Sequence, residues 1–350
     1  MRYLICCFQF ALILPTVGCE EDKKVNISPV KQFALDDTDP FQRVMTSNPE
    51  GMIAIGSHGN VHVGDVNSKE FRVLDGFNST VNRIALNANG TSVGVCAGPE
   101  AIVWDIKSGK ELASYKLPTK QYWYEGIQFR ADGESAYLLT HYDGVLLHWN
   151  FVKNEVNPVF KLASSQTFPE EWRGDIIFAS GLLVKNDTTA LIFRAPGIVE
   201  YNLKTTTERF IKFNKPLGVD ALAISPDRKS IAVNTGNALI SVYDFETWQL
   251  KFTFAFPAIH ENKESPLFRE VKYTHDGQYL VAVGSTGAVR PSYVGMFKAN
   301  NGDFVGAFQS HEKNAKSLIV TPDDKFIVTA GRDGAKFWQL DDILQKFDKK

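Results

Sequence analysis

Asn87-Ala88-Asn89-Gly90-Thr91-Ser92-Val93-Gly94-Val95-Cys96-Ala97-Gly98-Pro99-Glu100-Ala101-Ile102-Val103-Trp104-Asp105 reads as a turn, a short apolar strand, a second turn and a second strand. Asn caps a tight turn through its side chain and Gly supplies positive φ, so the opening quartet suits a hairpin corner. The same opening recurs as Asn48-Pro49-Glu50-Gly51, Arg130-Ala131-Asp132-Gly133, Lys185-Asn186-Asp187-Thr188, Ser225-Pro226-Asp227-Arg228, Thr274-His275-Asp276-Gly277 and Thr321-Pro322-Asp323-Asp324. The fourth residues of successive quartets lie 39, 43, 55, 40, 49 and 47 positions apart. The chain is therefore periodic at the length of a unit of four short strands with variable loops.

Each quartet is followed by a pair of β-like runs. They are Met52 to Ile55 with Val61 to Val63, Ser92 to Cys96 with Ala101 to Trp104, Ala136 to Leu139 with Val145 to Trp149, and Ala190 to Phe193 with Ile198 to Tyr201. Ser230 to Val233 with Leu239 to Tyr243, Tyr279 to Val283 with Tyr293 to Phe297, and Phe326 to Thr329 with Ala335 to Trp338 complete the set. The second runs end in Gly64-Asp65, Trp104-Asp105, Trp149-Asn150, Tyr201-Asn202, Tyr243-Asp244, Phe297-Lys298 and Trp338-Gln339. From about residue 40 to 340 the chain thus resembles the Trp-Asp (WD) repeat family, with Trp104-Asp105 the one intact dipeptide.

The resemblance implies an all-β, seven-bladed β-propeller with four-stranded antiparallel blades over residues 30–350. A blade cannot bury both faces alone, so neighbours must stack and the ring must close. Val30 to Leu35 alternates as an outer strand does and is the candidate to complete the last blade. The resemblance also implies an internal hydrogen-bond set in the final repeat, carried by His311, Thr329, Asp333 and Trp338. The spacing from Asp333 to Trp338 is one residue shorter than usual. Trp104, Asp105 and Trp149 are expected to be structural as well.

Met1 and Arg2 precede an uncharged run from Tyr3 to Pro15, then Thr16-Val17-Gly18-Cys19 and a charged segment. A positive start, an apolar middle and a small-residue end make residues 1–18 an export signal, too short to span a bilayer comfortably. Gly18-Cys19 resembles a bacterial lipoprotein cleavage box, which implies a lipid on Cys19. Thr16 stands where the usual box has Leu, and cleavage without acylation is the alternative. Residues 19–29 are expected to be a tether. Cys6 and Cys7 leave with the signal, so no disulfide framework remains, and Cys96 reads as a buried inert thiol.

With 38 Lys+Arg against 40 Asp+Glu, the net charge of −2 provides no field for a phosphate backbone, and nucleic-acid binding is excluded. His58 and His62 straddle a hairpin turn, and the seven histidines are dispersed without a His/Cys cluster, so no metal is expected. There is no Gly-x-Ser-x-Gly elbow and no Gly-rich phosphate loop. No cofactor is expected.

Function in such a fold is carried by loops and hairpin turns. Lys120-Gln121-Tyr122-Trp123-Tyr124-Glu125 places three aromatics at the start of the third unit, and alternation requires at least one of them to be core. The others, with Trp172 and Arg173, have the composition of an interface hot spot. His141, Arg194, Arg290 and Arg332 fall in hairpin turns and would favour an acidic partner segment or anionic ligand. The expectation is an exported, lipid-anchored, monomeric and non-catalytic platform for a protein partner. A propeller lactonase, a quinone- or haem-assisted dehydrogenase, and a structural cell-envelope protein are the alternatives. Ala232-Val233-Asn234-Thr235-Gly236, which is similar to YVTN-type propellers, keeps the enzyme reading open.

Overall fold

The computed structural model describes residues 24–33, 44–68, 70–118, 123–162, 179, 181–186, 188–194, 197–213, 221–234, 239–258, 265–287 and 290–349. Cys19 lies outside them. The described chain is a succession of four-stranded antiparallel meanders with one α-helix at the end. Every strand pair expected from the sequence is an antiparallel ladder. The first two meanders form one seven-stranded sheet because they share strand Arg72–Leu86. Arg72 to Thr80 pairs back onto the first meander and Val81 to Leu86 forward onto the second.

Local chemistry explains the repeat. In the opening quartets the side chain of the first or third residue closes the corner: Asn48 Oδ1 accepts Met52 N–H at 2.9 Å and Asn87 Oδ1 accepts Ser92 N–H at 2.9 Å. In the later ones Thr274 and Thr321 hydroxyls donate to Asp276 and Asp323 at 2.6 and 2.7 Å. The Asp or Asn that ends five of the third strands caps the next corner in the same way. Asp65 accepts from Asn67 N–H at 2.7 Å, Asp105 from Ser108 N–H at 2.6 Å and Asp244 from Thr247 N–H at 2.9 Å. Those hydrogen bonds hold the Asp244 carboxyl down to about 2. Asn202 does likewise without a charge, accepting from Thr205 N–H at 2.9 Å.

The apolar faces meet between meanders. Ala54, Val61 and Val63 of the first pack with Val93, Val95 and Ile102 of the second. Val281, Val294 and Met296 of the sixth pack with Leu318, Val320 and Ile327 of the last. Ile319, Val328 and Phe337 of the last pack in turn with Met45, Ile53 and Ile55 of the first. Polar bonds follow the same seam: Glu270 Oε2 accepts from the Ser317 hydroxyl at 2.9 Å and from Leu318 N–H at 3.1 Å, and Ser317 Oγ accepts Met45 N–H at 3.1 Å. Turns are also tied to turns, with Asn48 Nδ2 donating to Asn87 O at 3.1 Å and Asp324 accepting His275 N–H and Asp276 N–H at 2.7 and 2.8 Å.

The segment beginning at Val30 pairs as the outer strand of the last meander, Lys31–Phe33 against Ala335 to Phe337, antiparallel. The Phe33 ring lies edge-on to Phe71 and Phe337 at 4.8 and 5.5 Å, so it touches both the first and the last meander. Two features depart from expectation. Of the supposed tether 19–29, Lys24–Val25 is a parallel strand on Ala307 and Phe308, with Val25 buried in the core. The chain also ends in a helix, Leu340–Asp348, within a fold expected to be all-β. Leu340, Ile343 and Phe347 are its buried stripe at i, i+3 and i+7, and Asp341 and Asp342 in its first turn complement the helix dipole.

Within the last meander, Trp338 Nε1–H donates to Thr329 Oγ1 at 2.9 Å, and Thr329 Oγ1 lies 2.8 Å from His311 Nε2. His311 Nδ1 meets Asp333, and Lys336 Nζ donates to Asp333 Oδ2 at 2.6 Å. Burial holds His311 below its usual value despite Asp333, so the imidazole is neutral at pH 7. One proton arrangement then satisfies the whole set: Thr329 donates to Nε2 and Nδ1–H donates to Asp333. Burial works against charge on Asp333, but His311 and Lys336 outweigh it and hold the carboxyl well below the usual range. With His311 neutral, the counter-cation is Lys336, the member that the sequence reading missed. Gly331 makes room for the ring, since a Cβ there would lie 2.6 Å from His311 Nδ1.

Two outcomes follow. Phe33→Ala removes the ring shared by the first and last meanders and should cost about 2 kcal/mol, read as a lower urea midpoint with an unchanged m-value. Asp333→Asn should cost about 2 kcal/mol at pH 7. Because the folded carboxyl is depressed, that loss should be full above the ordinary value of about 3.9 and disappear as pH falls through the folded value. Urea unfolding of both chains from pH 7 to pH 2 reads it, and a pH-independent difference would contradict the ion pair.

Candidate functional site

Four meanders carry a β-bulge where the first strand begins to pair with the second, at Asn82, Glu125, Arg269 and Lys316. A bulge re-aims a side chain and breaks the alternation of the strand. Each antiparallel register sets the start of the first strand beside the end of the second, so the hairpin turn that follows lies at the same edge. Tyr124 pairs with Thr140 and the turn from His141 follows; Ala315 pairs with Gly331 and Arg332 follows. Neighbouring first strands are bonded at or next to their bulges, by Arg83 Nε to Glu125 O at 2.9 Å and by Glu270 to Ser317. Their bulges therefore stand side by side.

At the third meander this edge holds a compact polar and aromatic cluster. Trp123 stacks on His141 with centroids 4.4 Å apart and planes at 21°, and Tyr142 meets Trp123 edge-on at 4.8 Å. Beneath them lies the Glu125 carboxylate, its side chain only 12% exposed. Its Oε1 accepts Trp123 Nε1–H at 2.9 Å and lies 2.8 Å from His141 Nδ1, while Oε2 pairs with the Arg83 guanidinium. The backbone repeats the link, with His141 N–H donating to Trp123 O at 2.9 Å. Both carboxylate oxygens are thus engaged, one by the Trp123 donor and the other by the Arg83 cation. Glu125 is built as a holder of the aromatic pair.

The expected site residues separate accordingly. Trp123 and His141 come together in this cluster. Tyr124 does not belong to a contact surface: it is fully buried with Cys96, Val103 and Leu138, because as the first paired residue of its strand it points into the core between meanders. Burial also pushes its hydroxyl well above the usual value. Tyr122, Trp172 and Arg173 lie outside the described residues. Arg194, half-buried, ends the second strand of the fourth meander and pairs with Gly197, whereas Arg290, exposed, and Arg332, half-buried, lie in the hairpin turns of the sixth and last meanders. Burial lowers Arg194 from its ordinary value.

Trp104 is buried against Phe77, centroids 4.9 Å apart, and Trp149 is buried in the core of the third meander. Cys96 is fully buried, its thiol pushed well above the usual value by that burial. Arg83, Glu125 and Tyr142 were missed by sequence reading. Glu125 follows the aromatic triplet directly and Tyr142 follows His141, but nothing in the sequence announces the bulge that turns Glu125 toward them.

No known family model matches the sequence, and no curated protein is similar to it. Solved structures are similar in fold. A chain of the crystal structure of a mitotic checkpoint complex superposes with a TM-score of 0.70 at 14% identity, covering 90% of this chain and 96% of its own. The structure of U3-55K gives a TM-score of 0.70 at 11% identity, covering 89% and 100%. Both are WD-repeat β-propellers, and the chain has their fold.

Proposed function

We propose that this chain is an exported, lipid-anchored, non-catalytic platform for a protein partner, with the Trp123, His141 and Tyr142 stack and Arg83 as the contact surface. Seven meanders closed into one ring are the frame of this reading, which the packing of the last meander on the first supports. The observation that carries the function is the stack itself: aromatic rings held rigid at an edge by a buried carboxylate, beside a guanidinium whose side chain is 38% exposed. Pre-ordered aromatics and arginine lose little entropy on docking and dominate interface energies. A WD-repeat neighbour that sits in a multiprotein complex is in keeping with the reading.

Export and acylation at Cys19 rest on the pattern of residues 1–19 and are part of the same proposal. Arg290 and Arg332, at the corresponding edge of the sixth and last meanders, would meet an acidic stretch of the partner. Trp123→Ala combined with Arg83→Gln should weaken capture of the partner from envelope extract by at least about tenfold, the loss typical of a hot spot. Because Arg83→Gln also leaves the Glu125 carboxylate without its guanidinium, the melting temperature should fall, and capture is read at a temperature where circular dichroism shows the variant folded. Unaltered partners would remove the proposal, and co-purification of small molecules alone would favour a propeller enzyme.

A further inference from the structure

The two ends of the described chain meet at one outer rim. Lys24–Val25 runs parallel to Ala307 and Phe308 on the outer strand Phe304–His311 of the sixth meander. The helix Leu340–Asp348 packs on the same strand, with Phe347 so close to Gly306 that a Cβ there would lie 2.5 Å from the ring. Lys346 Nζ donates to Asn26 O at 2.9 Å and ties the helix to the N-terminal segment. Val25, Phe308, Ile343 and Phe347 share one core cluster, so the strand is held by packing as well as by hydrogen bonds.

This pinning shortens the chain available to an anchor. From Cys19 to Lys24 a fully extended chain reaches at most about 18 Å, whereas a globule of this length is on the order of 50 Å across, from its expected radius of gyration. A lipid on Cys19 must therefore keep the rim at Lys24 within about a third of the body's width of the lipid surface, and the opposite side cannot turn down to it.

We propose that the rim built by Lys24–Val25, the outer strand Phe304–His311 and the C-terminal helix is the face that the protein turns toward a phospholipid surface. The edge with Trp123 and His141, on the third meander, then stays directed away from the lipid and open to a partner. The reading rests on Cys19 as the point of attachment. Charge does not drive it: the exposed side of the helix carries Asp341, Asp342 and Asp348 against Lys346 and Lys349, and Lys346 is already engaged. The orientation should accordingly be insensitive to salt.

The test uses the mature chain on phosphatidylcholine vesicles containing headgroup-nitroxide lipid, with a fluorescent amino acid replacing either Gln345, exposed on the helix, or Lys153, exposed on the third meander. Mass spectrometry of Cys19 comes first. If it is acylated the chain is reconstituted as isolated; if it is a free thiol it is coupled to a maleimide phospholipid, and buried Cys96 does not compete. Quenching should be several-fold stronger at position 345 than at 153, and inserting about twelve Gly/Ser residues between Asp22 and Lys23 should abolish the difference. Equal quenching with the native tether, or a difference unmoved by the insertion, would overturn the orientation. A free Cys19 would overturn only the anchor reading, because the coupled chain still reports the geometry.

Discussion

A four-stranded meander in this chain has two apolar faces and can cover neither by itself. Everything else in the architecture answers that constraint. The clusters that bury Ile55, Val95, Val281 and Val328 each draw residues from two successive meanders. A fully buried aliphatic side chain contributes roughly 1.5–3 kcal/mol, and here that gain exists only when the neighbour is in place. Stability is thus a property of the interfaces, as in other repeat proteins. The last meander is joined to the first through its outer strand Lys31–Phe33, which is held on Ala335 to Phe337 by strand pairing rather than by a chain connection, and the junction carries extra fastening: the Ser317 hydroxyl between Glu270 and Met45, and the Phe33 ring between Phe71 and Phe337.

The polar groups that hold the meanders together are short and local. Asn48, Asp244 and Thr321 close their own corners, and Asn48 and Asp324 also reach the corner of the neighbouring meander. The His311 set also spans two meanders. It joins the sixth meander's outer strand to two strands of the last, and Lys336 supplies the charge that a buried neutral imidazole cannot. The short spacing between Asp333 and Trp338 is accommodated by a tight hairpin with Gly334 at φ +102, and the network persists.

Strand pairs were legible in the sequence because their signals are local: a turn quartet, a β-branched run, a terminal aromatic. The sharing of Arg72–Leu86 by two meanders was not, since a continuous strand that changes partner at Thr80 and Val81 looks the same as two strands separated by a turn. The C-terminal helix was legible in principle, through the spacing of Leu340, Ile343 and Phe347, but only once Gly306 and Phe308 are known to offer that stripe a surface. The site was half legible. Its aromatics stand out in composition, whereas the burial of Tyr124 and the turning of Glu125 depend on a bulge set by cross-strand register. Pairing of Lys24–Val25 depends on a strand almost 300 residues away in sequence.

The frame and the edge are linked. Bulges of the second and third meanders stand side by side because their first strands are bonded there, and the Trp123 stack is held in place because Glu125 is bonded from the second meander by Arg83. The proposed platform needs its last junction to be as firm as the others. Native-state hydrogen exchange of the Met45 amide, which donates to Ser317 across that junction, tests this most directly. The account predicts exchange at the free energy of global unfolding, equal to that of the interior amide of Val95; exchange through a much cheaper local opening would show that the first and last meanders part, and would contradict a closed ring.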